Sequence, residues 1–229
     1  MALPRDVLDA RRRIAEPYLR GHGIEIGALH APTELPRGAL VRYVDFRTVE
    51  ELRAQYPKME GERLVAVDVI DDGETLTSFA DHSIDFLIAN HMLEHCENPL
   101  GTLRTHLRKV KSGGWLFYAL PDRRLGFDSE RPITPFEHLV DDDRDGGAGT
   151  RFGHYVEWAK CVRGISDDEA AAQHAKETLA RRYSIHYHVW DSAAWFDTLA
   201  RARPYLGGTF EVRHFEFTGT EIVCVLRRE

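Results

Sequence analysis

The sequence predicts an α/β fold: a seven-stranded, mostly parallel sheet finished by an antiparallel hairpin. Three observations predict it. Five short apolar runs, at 24–26, 41–44, 64–67, 84–89 and 115–120, recur with helical stretches between them, as strands joined by crossovers do. Two alternating segments, 209–218 and 220–227, then meet at Gly219 as a hairpin would. The 229 residues are 43% hydrophobic and 29% charged, a composition that supports one buried core.

Each helix has its own signals. Residues 3–20 place Val7, Leu8, Ile14, Tyr18 and Leu19 among charges, and Gly21 and Gly23 end the pattern, so 1–22 is expected to be a packing helix. Asn98 can cap the next clear helix, Pro99 fits its first turn, and Leu100, Leu103, Leu107 and Val110 share a face before Gly113-Gly114. Asp191 caps a third, which is expected to turn Trp195, Phe196 and Leu199 toward the sheet. From 123 to 190 the chain departs from a minimal sheet. It carries an acidic run (141–145), Gly146-Gly147 and an alanine-rich helix (167–182). This stretch is read as a lid-like insertion over the carboxyl ends of the strands, where α/β proteins bind ligands, within a single domain spanning 1–229.

Composition excludes several function classes. No run of eighteen apolar residues exists, and the first thirteen residues are polar and Arg-rich, so a cytoplasmic protein without membrane contact is expected. Cys96, Cys161 and Cys224 are few and widely spaced, which suggests free thiols. A net charge of -7 argues against a nucleic acid partner and leaves a small molecule or glycan as acceptor; the oligomeric state stays open.

The segments expected to hold a nucleoside cofactor follow in strand order. Gly23-Ile24-Glu25-Ile26-Gly27-Ala28 runs a strand into a turn where Gly27 lets the backbone approach a ligand. A full G-x-G-x-x-G loop is missing, since Leu29 and Ala31 stand where further glycines would be, and a pyrophosphate is harder to seat. Asp45 follows Glu25 by about twenty residues, the separation at which an acid accepts hydrogen bonds from ribose hydroxyls. Asp68-Val69 would end the next strand and offer a carboxylate to an adenine amino group, with Asp71 and Asp72 read as solvated turn residues.

The stretch "SIDFLIANHMLEH", followed by a helix and "LRKVKSGGWLFYALPD", resembles class I S-adenosylmethionine-dependent methyltransferases over about 23–122. The resemblance implies a Rossmann-like sheet and S-adenosylmethionine, a cofactor without phosphates. It further implies that Glu25 and Gly27 flank the methionine moiety, that Asp45 binds ribose and Asp68 adenine, and that Asn90 and His91 floor the sulfonium.

Residues 120–139 are similar to a subset of bacterial methyltransferases of glycan or secondary-metabolite pathways. That would place Asp122, Asp128, Arg131, Thr134, Glu137 and His138 over the open end of the sheet, with Asp122, Asp128 and Arg131 as acceptor contacts. His186 and His188, two apart in an extended segment, share a face. They fit a general base for a hydroxyl, a metal pair completed by Asp122, Asp128 or His154, or structural hydrogen bonding. No third ligand at a telling spacing supports the metal, so none is expected. The base is sought at His186 or His188 first and at His138 or His154 next. His95 is read as packing beside the following helix, and Tyr155, Trp158, Trp190 and Trp195 as core or acceptor wall. The expectation is O-methylation; the alternatives are S-adenosylmethionine chemistry other than methylation, a non-catalytic nucleoside-binding partner protein and, last, a nicotinamide oxidoreductase.

Overall fold

The computed structural model describes residues 4–229, in which the strands are β1 (Gly21–Ile26), β2 (Ala39–Asp45), β3 (Val69–Ile70), β4 (Ile84–Asn90), β5 (Val110–Pro121), β6 (Phe210–Phe217) and β7 (Glu221–Arg228). They form one sheet in the order β3-β2-β1-β4-β5-β7-β6. The first five are parallel; β7 runs antiparallel between β5 and β6. This is the Rossmann-like arrangement with a terminal hairpin that the apolar runs predict.

The central strand β4 and the second half of β5 are apolar and buried on both sides because both sheet faces are covered there. In β4, Leu87 and Ala89 join one core cluster while Phe86 and Ile88 join the other. The first cluster takes Leu100, Leu103 and Leu107 from α3 (Pro99–Lys109) and Trp195 and Leu199 from α7 (Ser192–Tyr205). The second takes Ile14 from α1 (Arg5–Ala15), together with Leu19. Phe196, expected to face the sheet, is instead 54% exposed against Phe215 of the hairpin.

Several boundaries differ from expectation for local reasons. Leu3 lies outside the described residues, and α1 stops near Pro17, which cannot continue an i→i−4 ladder. α3 ends at Lys109 rather than at the glycine pair. Gly113 and Gly114 lie inside β5, and a Cβ on Gly114 would come within 2.6 Å of the Asp85 carbonyl of β4, so the glycine permits the close strand pairing there. Residues 64–67 form no strand. The Val65 amide donates to the Leu29 carbonyl, which ties this segment to the loop after β1, and only Val69 and Ile70 pair with β2.

Between β5 and α7 lie α4 (Phe136–Asp145), α5 (Arg151–Cys161) and α6 (Asp168–Ala180). The acidic run is the second half of α4, and its Asp142 is fully buried. Tyr155, Trp158, Ala175, Ile185 and Tyr187 form a small core of their own here, separate from the sheet clusters. No helix among the described residues is long and apolar enough to cross a membrane.

Asn98 caps α3 as predicted: its Oδ1 accepts from the Gly101 amide at 2.8 Å, and its Nδ2 donates to Asp143 on α4. Asn98→Ala is expected to cost about 1 kcal/mol, the usual value of such a cap, read as a lower denaturant midpoint at unchanged slope.

Candidate active site

The strand order reverses between β1 and β4, and there the carboxyl ends of β1, β2 and β4 open onto a cleft of about 600 Å³. Gly27, Asp45, Asn90 and His91 line it, so four of the expected cofactor residues share one cavity. Gly27 has φ 66°, and a Cβ built on it would meet nothing within 4 Å, so a side chain would project into the cleft. Asp45 is buried at the tip of β2, its Oδ1 accepting from the Phe46 amide at 2.8 Å.

Glu25 stands behind the cleft rather than in it. Its carboxylate accepts from the Thr33 amide and hydroxyl at 2.9 Å and from Asn90 Nδ2 at 3.2 Å, which fastens the loop after β1 to the end of β4. Burial lifts its carboxyl to about 7, against those hydrogen bonds. Asp68 and Val69 lie away from the cleft. Asp68 precedes β3, is exposed, and accepts from the Tyr43 amide at 2.8 Å. Asp72 and Glu74 line the cleft in its place. Asp71 is spent on its own turn, accepting from the Asp72 and Ser78 amides and the Thr77 hydroxyl.

Beneath the floor is a buried charge network. Arg11 grips Glu221 through two hydrogen bonds at 2.8 and 2.6 Å, and Glu221 also bonds His91 Nε2 at 2.9 Å. His91 Nδ1 is 3.5 Å from Glu94, a charge contact too long for a good hydrogen bond. Burial opposes charge on His91, but Glu221 and Glu94 outweigh it and hold the imidazolium up to about 9. His91 carries φ 50°, a costly backbone for a non-glycine residue of the sort found at functional sites.

A second cleft, of about 610 Å³, adjoins the first and shares Phe46, Tyr56, Glu74, His95 and Ser184 with it. His95 thus faces both, contrary to its expected packing role. Its Nδ1 lies 2.9 Å from the Ile185 carbonyl, so that nitrogen carries the proton and Nε2 keeps its lone pair. Burial lowers its pKa and keeps the ring neutral. Ring nitrogens of His95 and His186 and a Glu94 carboxylate oxygen all lie within 4.8 Å of one another. His186 Nδ1 is bonded to Asp128 at 2.6 Å, and Arg131 bonds Asp128 in turn.

The other expected acceptor contacts are internal braces. The Asp122 carboxylate is occupied by Arg124 and the Ser192 amide. Arg131 is fully buried and holds Glu157 and the His186 and Tyr187 carbonyls besides Asp128. Thr134 accepts from the Val189 amide, and Glu137 pairs with Arg201. His138, His154 and His188 line neither cleft; they meet at a different place, with Asp142. Of the aromatic set, Tyr155 lines the second cleft, while Trp158, Trp190 and Trp195 are core.

The family described as "Methyltransferase domain" matches residues 25–118, from the β1 tip to the middle of β5. The cofactor that this domain implies is S-adenosylmethionine, and the open Gly27 turn beside the buried Asp45 carboxylate fits an adenosyl group. Among solved structures, an Aquifex aeolicus SAM-dependent methyltransferase superposes with TM-score 0.51 at 12% identity, covering 97% of this chain and 89% of that one. A Thermotoga maritima SAM-dependent methyltransferase, with histamine N-methylation raised in its name, gives TM-score 0.51 at 15% identity over 98% and 90%. A Rhodobacter sphaeroides protein provisionally named among Zn-dependent alcohol dehydrogenases gives 0.56 at 14% identity over 99% and 90%. At these identities the likeness is one of fold. A search among curated proteins finds no match to the chain.

Burial lifts the Asp45 carboxyl to about 6, against the pull of the Phe46 and Arg47 amides. Hydroxyl donors favour the ionised form, so affinity for S-adenosylmethionine is expected to be full above that value and to fall as pH drops through about 6. Titration calorimetry between pH 8 and 5 measures it. In the free protein the same shift acts oppositely. The fold holds this proton more tightly than the unfolded chain, so the stability it contributes declines as pH rises through about 6.

Proposed function

We propose that the chain methylates a hydroxyl of a small polar or sugar-containing acceptor, with His95 as the base and His186 and Asp128 as its positioning residues. The carrying observation is that His95 lines both of two clefts of similar volume and lies within ligand distance of His186 and Glu94 behind it. One cleft suits the adenosyl group, with Asp45 toward the ribose and Asp72, in place of Asp68, toward the adenine. The other, with Arg47, Arg182 and Tyr183 in its wall, suits a hydroxylated or carboxylated acceptor.

Bound S-adenosylmethionine supplies a methyl already activated by its sulfonium. The chain's part is to align the acceptor and take one proton. His95 Nε2 would accept the acceptor's hydroxyl proton while the cofactor, when bound, would supply the methyl for that oxygen. Glu94, drawn down to about 2 by His91, His95 and His186 despite its burial, supplies a fixed negative charge beside the imidazolium that results. Asp128 fixes the His186 tautomer, and His186 meets the His95 ring edge-on with centroids 4.6 Å apart.

Labelled S-adenosylmethionine offered with a panel of hydroxylated and carboxylated small molecules tests the reading. A methyl ether product supports it. Label on nitrogen or carbon, or cofactor breakdown with no methylated product, overturns it.

A further inference from the structure

Three histidines expected as base candidates meet Asp142 outside both clefts. His138 and Asp142 stand one turn apart on α4, His154 is on α5, and His188 is on the segment leading into α7. Each offers one ligand atom, and all four atoms lie within 4.8 Å of one another. His138 Nε2 is 3.1 Å from His154 Nε2 and 3.4 Å from Asp142 Oδ2, and His188 Nε2 is 3.6 Å from the same oxygen.

Hydrogen bonding does not account for this arrangement. His188 is fully buried, and neither of its ring nitrogens has a hydrogen-bond partner; the buried Asp142 Oδ2 has none either. An unsatisfied buried polar atom costs about 1–3 kcal/mol, and two that face one point, His188 Nε2 and Asp142 Oδ2, mark a missing common partner. The spacing identifies it. Four ligands at about 2.0–2.1 Å around a tetrahedral ion stand about 3.3–3.4 Å apart, close to the three separations here.

We propose that His138, Asp142, His154 and His188 bind one divalent transition metal ion, zinc by preference. Three imidazoles and a carboxylate without sulfur suit zinc rather than copper(I) or an iron–sulfur cluster, and their oxygen-poor set is wrong for magnesium or calcium. Four protein ligands close the shell, which makes the ion structural. The Thr150 hydroxyl donates to Asp142 Oδ1, orienting the carboxylate so that Oδ2 faces the imidazoles. The ion thereby ties α4 and α5 to the segment carrying His186, two residues before His188.

Metal analysis by plasma mass spectrometry on the full chain, after dialysis against buffer free of metal, is the test. About one zinc per chain is expected. Cobalt(II) loaded in its place should give the intense visible absorption of tetrahedral coordination. His138→Ala changes the one ligand that is partly exposed, at 33%, and is expected to weaken zinc retention by about 100-fold or more while the chain still folds. His22→Ala, at an exposed histidine on β1, should retain the wild-type zinc content. Folded wild-type protein that neither retains zinc nor shows the cobalt spectrum overturns the proposal, as does a His138→Ala protein with wild-type zinc content.

Discussion

Replacing His95 with alanine is expected to lower kcat by about 100- to 10,000-fold, the range of general base catalysis, with little change in S-adenosylmethionine affinity. His95 lines the junction of the two clefts with one ring nitrogen protonated toward the Ile185 carbonyl and the other free. Its removal takes away the only imidazole that lines both clefts among the described residues, yet leaves Gly27 and Asp45 untouched. The wild-type pH–rate profile should rise as the imidazole loses its proton, and that limb should vanish in the variant. His186→Ala should give a smaller loss with the limb displaced, since it acts through His95. Should His95→Ala keep wild-type kcat and its pH limb, the base lies elsewhere.

Asp45→Ala is expected to weaken S-adenosylmethionine binding by about 100-fold or more. Hydrogen bonds to a charged acceptor contribute about 1.5–3 kcal/mol each, and a ribose offers two hydroxyls to one carboxylate. The free protein should keep its stability, because a carboxyl lifted to about 6 by burial is a strained group whose loss relieves the fold. Asp45→Asn separates charge from shape, and its affinity should lie between the two. Equal affinity of Asp45→Ala and wild type by calorimetry would refute the ribose assignment.

Part of the lining of the first cleft was legible in the sequence. The glycine turn at 27, the acid at 45 and the Asn90-His91 pair follow strand tips, and parallel strands necessarily bring such tips to one edge. Asp68 misled because residues 64–67 have the β-branched and apolar content of a strand, yet β3 begins only at Val69. The side chain taken as a ligand group was needed by the Tyr43 amide instead. Asp72, dismissed as a turn residue, was marked only by the glycine after it: Gly73 packs so closely on Ile26 and Met92 that a Cβ would come within 2.7 and 2.9 Å of them.

In the acceptor half, residue type was informative and location was not. Asp122, Asp128 and Arg131 were picked out as polar groups over the sheet, but their partners are Arg124, His186 and Glu157, separated from them by two to about sixty positions in the chain. The acidic run at 141–145 stood out in the sequence only as a charged part of the insertion. Helical periodicity nevertheless turns Asp142 inward with His138, and no property of the run itself reveals that His154 and His188 wait on that side.

The amino-acid order alone indicated most of the strand succession and the sheet edge where the cleft opens, because those follow from local periodicity and from the parallel connection rule, while the cofactor class came from the family resemblance of the stretch around 84–95. Only the tertiary structure decided which histidines share a site. His95, which lines both clefts, lies beside His186, while His138, His154 and His188 gather around Asp142. Such groupings depend on how helices separated by long stretches of chain pack together, and a contact of that kind leaves no periodic trace in sequence.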